Sequence, residues 1–268
     1  MAVRVVTEPV SAALARGRMV FETLSLLTPF DLPGERKLRI GEPGDGSYVL
    51  IDRLDPSQPI MSFGIGPSTS FEMGIAERGH DVLLFDHTID ALPDNHPRFT
   101  WFREGVAPVS EPKRSLFSLT AHMDKLPGGR ASPILKLDIE GAEWSVLQAT
   151  PVDLLVRFEQ IALELHHLHE LDKPAFNAAA QIVLGKLAVH FTLCHVHANN
   201  FCSVAIVGGF PVPETLELTY IRSDLVERAP STTVYPTPID APNYPQWPDH
   251  LLWYFPFLPS TGAMRFPS

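Results

Sequence analysis

Acidic and imidazole side chains gather at the ends of three apolar segments of this sequence. In open α/β folds the carboxyl ends of buried strands lie at one edge of the sheet, where ligands bind. Carboxylates and imidazoles at such an edge can accept protons, hold hydroxyl groups or ligate divalent cations. The side chains concerned are Asp138 and Glu140, then Glu164 and His166, then His195 and His197 with Asn199 and Asn200.

The spacing within these groups predicts a shared face. Alternate residues of a strand point to the same side, so Glu164 and His166 are expected together, as are His195 and His197. Oxygen-rich ligand sets favour Mg²⁺ or Mn²⁺, whereas sets weighted to imidazole would admit Zn²⁺, Co²⁺ or Ni²⁺. We expect Asp138, Glu164 and His195 to ligate a divalent metal, with Mg²⁺ or Mn²⁺ preferred.

A second group of residues suits a nucleoside. Gly64 and Gly66 lie between an apolar segment and a helical pattern, where the backbone can turn tightly and approach a ligand. About twenty residues later, Val82–Asp86 ends in a carboxylate that can accept both hydroxyls of a ribose. A dinucleotide fingerprint would place a third glycine where Thr69 stands. The pattern favours a nucleoside without a pyrophosphate, and a tight turn without a ligand is the alternative.

The elements that would position these groups alternate between strand and helix, as in a doubly wound α/β fold. Strands are predicted near 59–64, 81–86, 99–103, 133–138 and 160–165, and helices near 69–78, 115–122, 142–149 and 174–188. Further strands near 191–197, 202–207 and 216–221 are expected to include an antiparallel pair that closes the sheet as an edge hairpin. The predicted architecture is therefore a mostly parallel sheet with helices on both faces.

We expect one main domain with a segment on either side. The first segment is predicted to form a helix over residues 9–27, starting at Pro9. The main domain begins with Leu38–Asp52, whose Gly-Asp-Gly turn between apolar runs predicts a β-hairpin. Nine of the 26 prolines fall in the final segment, so it should pack on the domain in extended form. The predicted boundaries are 1–37, 38–228 and 229–268.

The composition limits the partners and the compartment. The 268 residues carry a net charge of −10, so the sequence lacks the basic surface that nucleic acids require. Cys194 and Cys202 match no zinc or disulfide spacing, which fits a reducing compartment. No apolar run reaches the roughly 18 residues of a membrane span. We therefore expect a cytoplasmic protein without a transmembrane segment.

Several motifs together resemble those of the FkbM-type methyltransferases, which use S-adenosyl-L-methionine (SAM). The resemblance covers most of residues 38–250 and depends mainly on GDGSYVL, LKLDIEGAEW and HVHANN. It extends to SFGIGPSTSFE, LFDHT and LELHHL. It implies a Rossmann-like class I methyltransferase fold, SAM as the cofactor and a sugar hydroxyl as the methyl acceptor.

The cofactor residues follow from the glycine turn, the acidic strand ends and this resemblance. In class I methyltransferases the loop after the third strand packs on the adenine, which corresponds here to Gly105 and Val106. The cofactor set is then Gly64, Gly66, Asp86, Gly105, Val106 and Asp138.

The catalytic residues follow from the chemistry of methyl transfer to a hydroxyl group. The acceptor must be aligned with the methyl group and must lose its proton. We expect His166 to be the base, with Asp138 and Glu164 beside it as catalytic residues. The side chains expected to hold the acceptor are Glu140, His197, Asn199 and Asn200.

Two other functions fit parts of the pattern. An NAD-dependent oxidoreductase or epimerase would share the fold, but the sequence lacks the third glycine and an evident Tyr-x-x-x-Lys pair. A non-catalytic sugar-binding relative would lose the acidic strand ends, yet Asp86 and Asp138 are both present. The expected partner is a small saccharide, an oligosaccharide or a glycolipid, and a homo-oligomer is compatible with the sequence.

Overall fold

The computed structural model describes residues 10–126 and 132–260. Helices and strands alternate along most of this part of the chain. The helices are α1 (Val10–Ser25), α2 (Ser70–Ala76), α3 (Leu119–Met123), α4 (Glu143–Ala149), α5 (Val152–Leu155) and α6 (Pro174–His190). The strands are β1 (Phe30–Asp31), β2 (Lys37–Ile40), β3 (Tyr48–Ile51), β4 (Ile60–Phe63), β5 (Val82–Phe85), β6 (Phe99–Phe102), β7 (Gly105–Val106), β8 (Leu116–Phe117), β9 (Ile134–Leu137), β10 (Gln160–Leu165), β11 (Phe191–Ala198), β12 (Val204–Val207), β13 (Phe210–Pro213), β14 (Leu216–Arg222) and β15 (Ala229–Pro230).

Seven strands form the central sheet in the order β11-β14-β10-β9-β4-β5-β6. The strands from β10 to β6 are parallel, and β14 is antiparallel to both of its neighbours. The fold is therefore mixed α/β with a mostly parallel sheet, compatible with the predicted Rossmann-like arrangement. Because parallel strands end at one edge, Gly64, Asp86, Asp138 and His166 follow strands that meet there.

Alternate residues of the central strands enter two different cores. Met61 and Phe63 of β4 belong to the larger core, which also receives apolar side chains from α1, α4 and α6. Ile60 of the same strand belongs to the smaller core, with side chains from α2 and β3. This alternation explains why the strands are apolar throughout, since both faces of the sheet are covered.

The predicted hairpin of β2 and β3 lies across β10 and β14. The Gln160 side chain accepts from the Ile51 N–H at 2.8 Å and donates to its carbonyl at 3.0 Å. The Thr219 hydroxyl donates to the Val49 carbonyl at 2.6 Å. These bonds fix β3 over the sheet, so that Tyr48 at its start reaches the ends of β9 and β10.

The segment after β15 packs on the domain, and its side chains Tyr235, Leu252 and Phe257 are fully buried. The N-terminal helix shares the larger core through Val20 and Leu24. Both flanking segments therefore contribute to the core of the main domain. Within the two described ranges, none of the helices combines the length and apolarity that crossing a membrane would take.

Two predicted elements differ in the structure. The helix expected over 115–122 begins only at Leu119, because residues 116–117 form β8 beside β7. The strand expected over 202–207 pairs with β13 in a separate two-stranded sheet, and β14 takes the place beside β11. Pro9, the predicted helix start, and residues 261–268 of the predicted tail lie outside the described residues.

Candidate functional site

A cavity of about 540 Å³ lies at the carboxyl ends of β4, β5 and β9. This volume is within the range of small-molecule sites in proteins. The cavity is lined by backbone turns on one side and by charged side chains on the other. All the residues that the sequence assigns to the cofactor line it, namely Gly64, Gly66, Asp86, Gly105, Val106 and Asp138.

The two glycines of the first turn have different constraints. Gly64 has φ of +76°, and a Cβ atom there would lie 1.6 Å from the carbonyl oxygen of Asp138. Gly66 has φ of +60°, but a Cβ atom there would meet no atom within 4 Å. Gly64 is therefore required by contact between β4 and β9, whereas Gly66 is favoured by conformation alone.

Asp86 organises the glycine turn. Its Oδ2 accepts hydrogen bonds from the Ile65 and Gly66 N–H groups at 2.9 and 3.1 Å, and its Oδ1 accepts from the Thr88 N–H and hydroxyl at 2.7 and 2.6 Å. Burial opposes ionisation, but the hydrogen bonds from Thr88 and the turn outweigh it and lower the pKa of Asp86. The four acceptor positions of the carboxylate are thus used within the chain. A ribose would have to share or replace one of these donors.

The loop after β6 approaches the cavity at Gly105. A Cβ atom at this position would lie 2.4 Å from Nδ1 of His87, whose imidazole therefore packs on the Gly105 backbone. Val106 follows as a buried side chain. His87 and Val106 both line the cavity. This side of the cavity therefore combines an imidazole with an apolar side chain.

The turn after β9 has an unusual backbone conformation. Glu140 has φ of +57°, which side chains other than glycine rarely adopt, and Gly141 follows with φ of +98°. Oε1 of Glu143 stabilises the turn by accepting from the Ile139 N–H at 2.8 Å and the Gly141 N–H at 3.2 Å. Such backbone strain is typical of functional sites. The Glu140 side chain is 89% exposed and lines the cavity.

Tyr48 links the carboxylates that end β9 and β10. Its hydroxyl lies 2.8 Å from Asp138 Oδ2 and 3.2 Å from Glu164 Oε2. Burial, Asp138 and Glu217 raise the pKa of Glu164 well above its ordinary value. The Tyr48 hydroxyl has a single proton, so it donates to one of these two carboxyl groups at a time and joins them in one hydrogen-bonded cluster. The cluster is therefore a hydrogen-bonded chain that ends at Asp138.

Lys136 is a buried cation of this cluster. Its ammonium group donates to the Gly64 carbonyl and lies 3.3 Å from Asp138 Oδ2. Burial acts to lower the pKa of Lys136, but the neighbouring carboxylates Asp138 and Glu72 raise it above its ordinary value. The ammonium group thus compensates the acidic groups that line this side of the cavity.

His166 lies among acidic side chains. Its Nδ1 is 3.1 Å from Glu143 Oε1, and its Nε2 is 3.6 Å from Glu140 Oε2 and 3.7 Å from Glu164 Oε1. Burial acts to lower the pKa of His166, but Glu143, Glu164 and Asp138 outweigh it and raise the pKa to about 9. Only about 1% of the imidazole is then neutral at pH 7. As a base it would act from this minor form.

The ligand atoms of Asp138, Glu140 and His166 all lie within 4.8 Å of one another. This set combines two carboxylates with one imidazole, which suits a divalent cation. The predicted set of Asp138, Glu164 and His195 does not form such a group among the described residues. Glu164 lies beside the observed set, with its oxygens bonded to Tyr48 and Asn199.

His195 is separated from Glu164 by β14, so their backbones are about 10 Å apart. Its Nε2 lies 2.8 Å from Asp240 Oδ1. Burial lowers the pKa of His195, with Asp240 opposing this effect, whereas the pKa of Asp240 is lowered to about 2 because its hydrogen bonds outweigh burial. In the structure His195 contacts the tail segment through Asp240, and among the described residues it does not join Asp138 and Glu164 in a group of metal ligands.

The other predicted acceptor residues of β11 also contact the chain itself. His197 lies between Glu217 and Asp249, with 2.9 Å from Nδ1 to the former and 3.0 Å from Nε2 to the latter. The Asn200 amide donates to backbone carbonyls of the tail, those of Tyr244, Trp247 and Pro248. In the structure the tail uses the polar groups of these two side chains, and neither of them lines the cavity.

Asn199 has a different role from its neighbour Asn200. Its amide donates to Glu164 Oε1 at 3.0 Å, and its carbonyl oxygen accepts from the Phe201 N–H at 3.0 Å. Asn199 therefore positions Glu164 within the Tyr48 cluster. Of the four predicted acceptor residues, Glu140 alone lines the cavity.

Several residues of the site were missed by the sequence interpretation. A lysine within a buried strand is rare unless it is paired, so Lys136 could have been recognised as a paired cation. Tyr48 begins a short apolar strand, where an aromatic residue is ordinary, so its type and position do not mark it as part of the site. The tail residues Asp240, Asn243 and Asp249 gave no signal, because they lie in a proline-rich segment that has no periodicity.

Comparisons with known proteins add little to this picture. No family model matches the chain, and no curated protein matches it. One solved structure, described as "Putative hemolysin from Streptococcus thermophilus", is similar with a TM-score of 0.38 and 10% sequence identity, over 75% of each chain. At this TM-score and identity the likeness carries no argument about fold or function.

Proposed function

We propose that the protein is a SAM-dependent O-methyltransferase that acts on a sugar hydroxyl. The observation that carries this proposal is the charge of the cavity beside the glycine turn. Six lining side chains are acidic and two are basic. The acidic ones are Asp45, Glu72, Asp86, Glu111, Asp138 and Glu140, and the basic ones are Arg114 and Lys136. This excess of negative charge suits a cationic sulfonium nucleoside and disfavours the pyrophosphate of NAD.

The fold supports the same proposal. A class I methyltransferase is expected to have a mostly parallel sheet with an antiparallel strand near one edge, and β14 is such a strand. The glycine turn after β4 and the carboxylate after β5 follow adjacent strands, as a nucleoside site requires. The sugar acceptor is proposed from the resemblance of the motifs, with a saccharide, oligosaccharide or glycolipid as the substrate class.

The side chains next to the cavity can support methyl transfer. SAM, when bound, supplies a methyl group that is already activated on sulfur. Asp138 stands between the cavity and the hydrogen-bonded chain through Tyr48 to Glu164, so it can accept a hydrogen bond from an acceptor hydroxyl. His166 receives the proton in its neutral form, and Glu143 fixes the orientation of its ring. Removal of that proton is the contribution expected of general base catalysis.

Asp138 and Glu140 can hold a divalent cation beside His166, whose imidazole then stays outside the ligand set and keeps Nε2 for the proton. The ligand atoms of the two carboxylates lie close together, and the exposed Glu140 carboxylate is free to move toward an ion. When bound, Mg²⁺ or Mn²⁺ would lower the pKa of a coordinated hydroxyl. Protein from which divalent cations have been removed should then lose most of its turnover and regain it with either ion. Full turnover in excess chelator would show that these side chains act only as proton acceptors and hydrogen-bonding groups.

Calorimetry tests the cofactor part of the proposal. The wild-type protein should bind SAM and S-adenosylhomocysteine and should not bind NAD. Asp86→Ala should weaken binding by about tenfold or more, because it removes a charged acceptor worth roughly 1.5–3 kcal/mol and releases the glycine turn. Asp90→Ala is the matched control, since this nearby carboxylate is 91% exposed. Equal affinity in a folded Asp86→Ala protein, or binding of NAD instead, would reject the assignment.

A panel of saccharides, oligosaccharides and glycolipids tests the acceptor class. Mass spectrometry of the products should show a methylated sugar in the presence of SAM. Transfer to a phenol or a protein but to no sugar would retain the methyltransferase proposal and overturn its acceptor.

A further inference from the structure

A second cluster of metal-ligand residues lies beyond the end of β10, and no step of the proposed reaction uses it. The ligand atoms of His167, His169 and Glu214 all lie within 4.8 Å of one another. None of the three lines the cavity. The cluster also has no member in common with the set of Asp138, Glu140 and His166.

The backbone fixes the positions of these three side chains. Leu168, between the two histidines, is fully buried in the larger core. Its N–H donates to the carbonyl of Glu214 at 3.0 Å, which joins the two segments that carry the cluster. The Glu214 N–H in turn donates to the carbonyl of Ser203 at 2.9 Å. The cluster is therefore held by rigid backbone rather than by long flexible loops.

One polar atom of the cluster has no hydrogen-bond partner among the described residues. Nδ1 of His169 is buried, and it lies 3.3 Å from Oε1 of Glu214 without hydrogen-bond alignment. Buried polar atoms without a partner are rare, and an ion is one of the groups that satisfy them. The lone pairs of an imidazole nitrogen and a carboxylate oxygen at this separation can be shared by one cation.

His167 connects the cluster to the turn after β9. It has φ of +64°, an unusual conformation for a residue other than glycine. A Cβ atom at Gly141 would lie 2.5 Å from Nε2 of His167, so the imidazole packs directly on the backbone of that turn. A ligand that fixes His167 would thereby brace the turn that carries Glu140.

From this arrangement we propose that His167, His169 and Glu214 form a binding site for Zn²⁺ or a similar transition-metal ion. Two imidazoles and one carboxylate favour Zn²⁺, Co²⁺ or Ni²⁺ over Mg²⁺, which prefers oxygen ligands. Three protein ligands leave a coordination position for water or another group. The site is independent of the proposed methyl transfer, and its expected effect is to stabilise the turn beside the cavity.

Titration of untagged, chelator-stripped protein with Zn²⁺ and with Co²⁺ tests this proposal. The visible absorption of Co²⁺ reports imidazole ligation, and calorimetry reports the affinity for Zn²⁺. Each of His167→Ala, His169→Ala and Glu214→Gln should weaken Zn²⁺ binding by more than about tenfold. Two controls should retain it: His190→Ala removes a remote histidine at the end of α6, and Glu140→Gln alters the neighbouring set.

Thermal unfolding provides a second measurement that separates ligand loss from misfolding. Without metal the three variants should unfold close to the wild-type temperature, and Zn²⁺ should raise this temperature only for the wild type and the controls. Equal stabilisation of the wild type and His169→Ala would overturn the site. Loss of Zn²⁺ binding in Glu140→Gln with retention in His169→Ala would assign the ion to the neighbouring set and also reject the proposal.

Discussion

The polar side chains at the carboxyl edge of the sheet have different surroundings in its two halves. After β4 and β9 the backbone turns on glycines, and acidic side chains line an open cavity there and after β5. At β14 and β11 the histidines and acids bond one another and are covered by the tail. Glu164 and His166, at the end of β10, mark the boundary between the two halves.

This difference shows that a high density of histidines need not mark a ligand site. His195 and His197 share a strand face with Glu217 of the neighbouring strand, as a functional set would. Their imidazoles are nevertheless occupied by Asp240 and Asp249. His197, with an acidic partner on each nitrogen, has no free position for a substrate, whereas Nδ1 of His195 is buried without a hydrogen-bond partner among the described residues. The glycines of the other half were the more informative signal.

The largest effect that separates the two halves is expected from the glycine turn. In Gly64→Ala the methyl group would meet the Asp138 carbonyl at 1.6 Å, and this carbonyl cannot retreat because it follows a central strand. We expect a loss of about 5 kcal/mol or more in the free energy of unfolding. Gly66→Ala, which meets no atom within 4 Å, should cost only about 1–2 kcal/mol. Denaturant unfolding of both variants checks this, and equal losses would contradict the contact argument.

The next effect concerns turnover and tests which of the two halves contains the base. His166→Ala should lower the rate of methyl transfer by roughly 10²–10⁴-fold with SAM affinity nearly intact, because it removes the proposed base. His195→Ala, on the covered side, should retain the rate per folded molecule. Single-turnover kinetics with calorimetry of SAM binding measures both quantities. Near wild-type turnover in His166→Ala together with a loss of turnover in His195→Ala would show that the base lies in the covered half.

The third effect concerns the covered half, where stability rather than turnover should respond. His197→Leu leaves the buried Glu217 and the partly buried Asp249 without their shared cation, which should destabilise the protein by about 3–5 kcal/mol. Chemical denaturation measures this loss. His190→Leu, at the partly exposed end of α6, is the control and should change stability little. A neutral His197→Leu would show that the tail is held by its other contacts.

The last effect is a pH dependence of stability. Burial opposes protonation of His197, but Asp249 and Glu217 outweigh it and raise its pKa to about 10 from an ordinary value of 6.5. The interactions that raise the pKa of His197 stabilise the folded state fully below pH 6.5, its ordinary pKa. This contribution to stability is lost as the pH rises toward 10. The unfolding temperature should therefore fall over this window, and His197→Leu should flatten the curve. Parallel curves for the two proteins would refute the assignment to His197.

The order of elements and the glycine turn could be predicted from the sequence because both depend on local patterns. Continuous apolar runs predicted β4, β5, β9 and β10, and a helical pattern predicted α6, each within a few residues. The displacement of β12 from the sheet could not be predicted, since an apolar run indicates a strand but not the strand with which it pairs.

The candidate site was predictable in part for the same reason. Gly64 and Asp86 follow their strands directly, so their position depends on neighbouring residues in the chain. The roles of His197 and Asn200 depend on tail residues about 50 positions away, such as Asp249 and Tyr244. No periodicity connects such distant segments, and the polar groups of β11 therefore looked available when only the sequence was considered.

The position of the tail in the chain has a consequence for synthesis. A ribosome completes β11 and β14 before it makes residues 240–249, which supply acidic partners for the two β11 imidazoles. Until then, the histidine face of the sheet is uncovered, although every strand of the sheet has been made. Folding of this half must therefore finish after its strands emerge. A nascent chain halted before Asp240 would present imidazole and amide groups that the finished protein keeps from solvent.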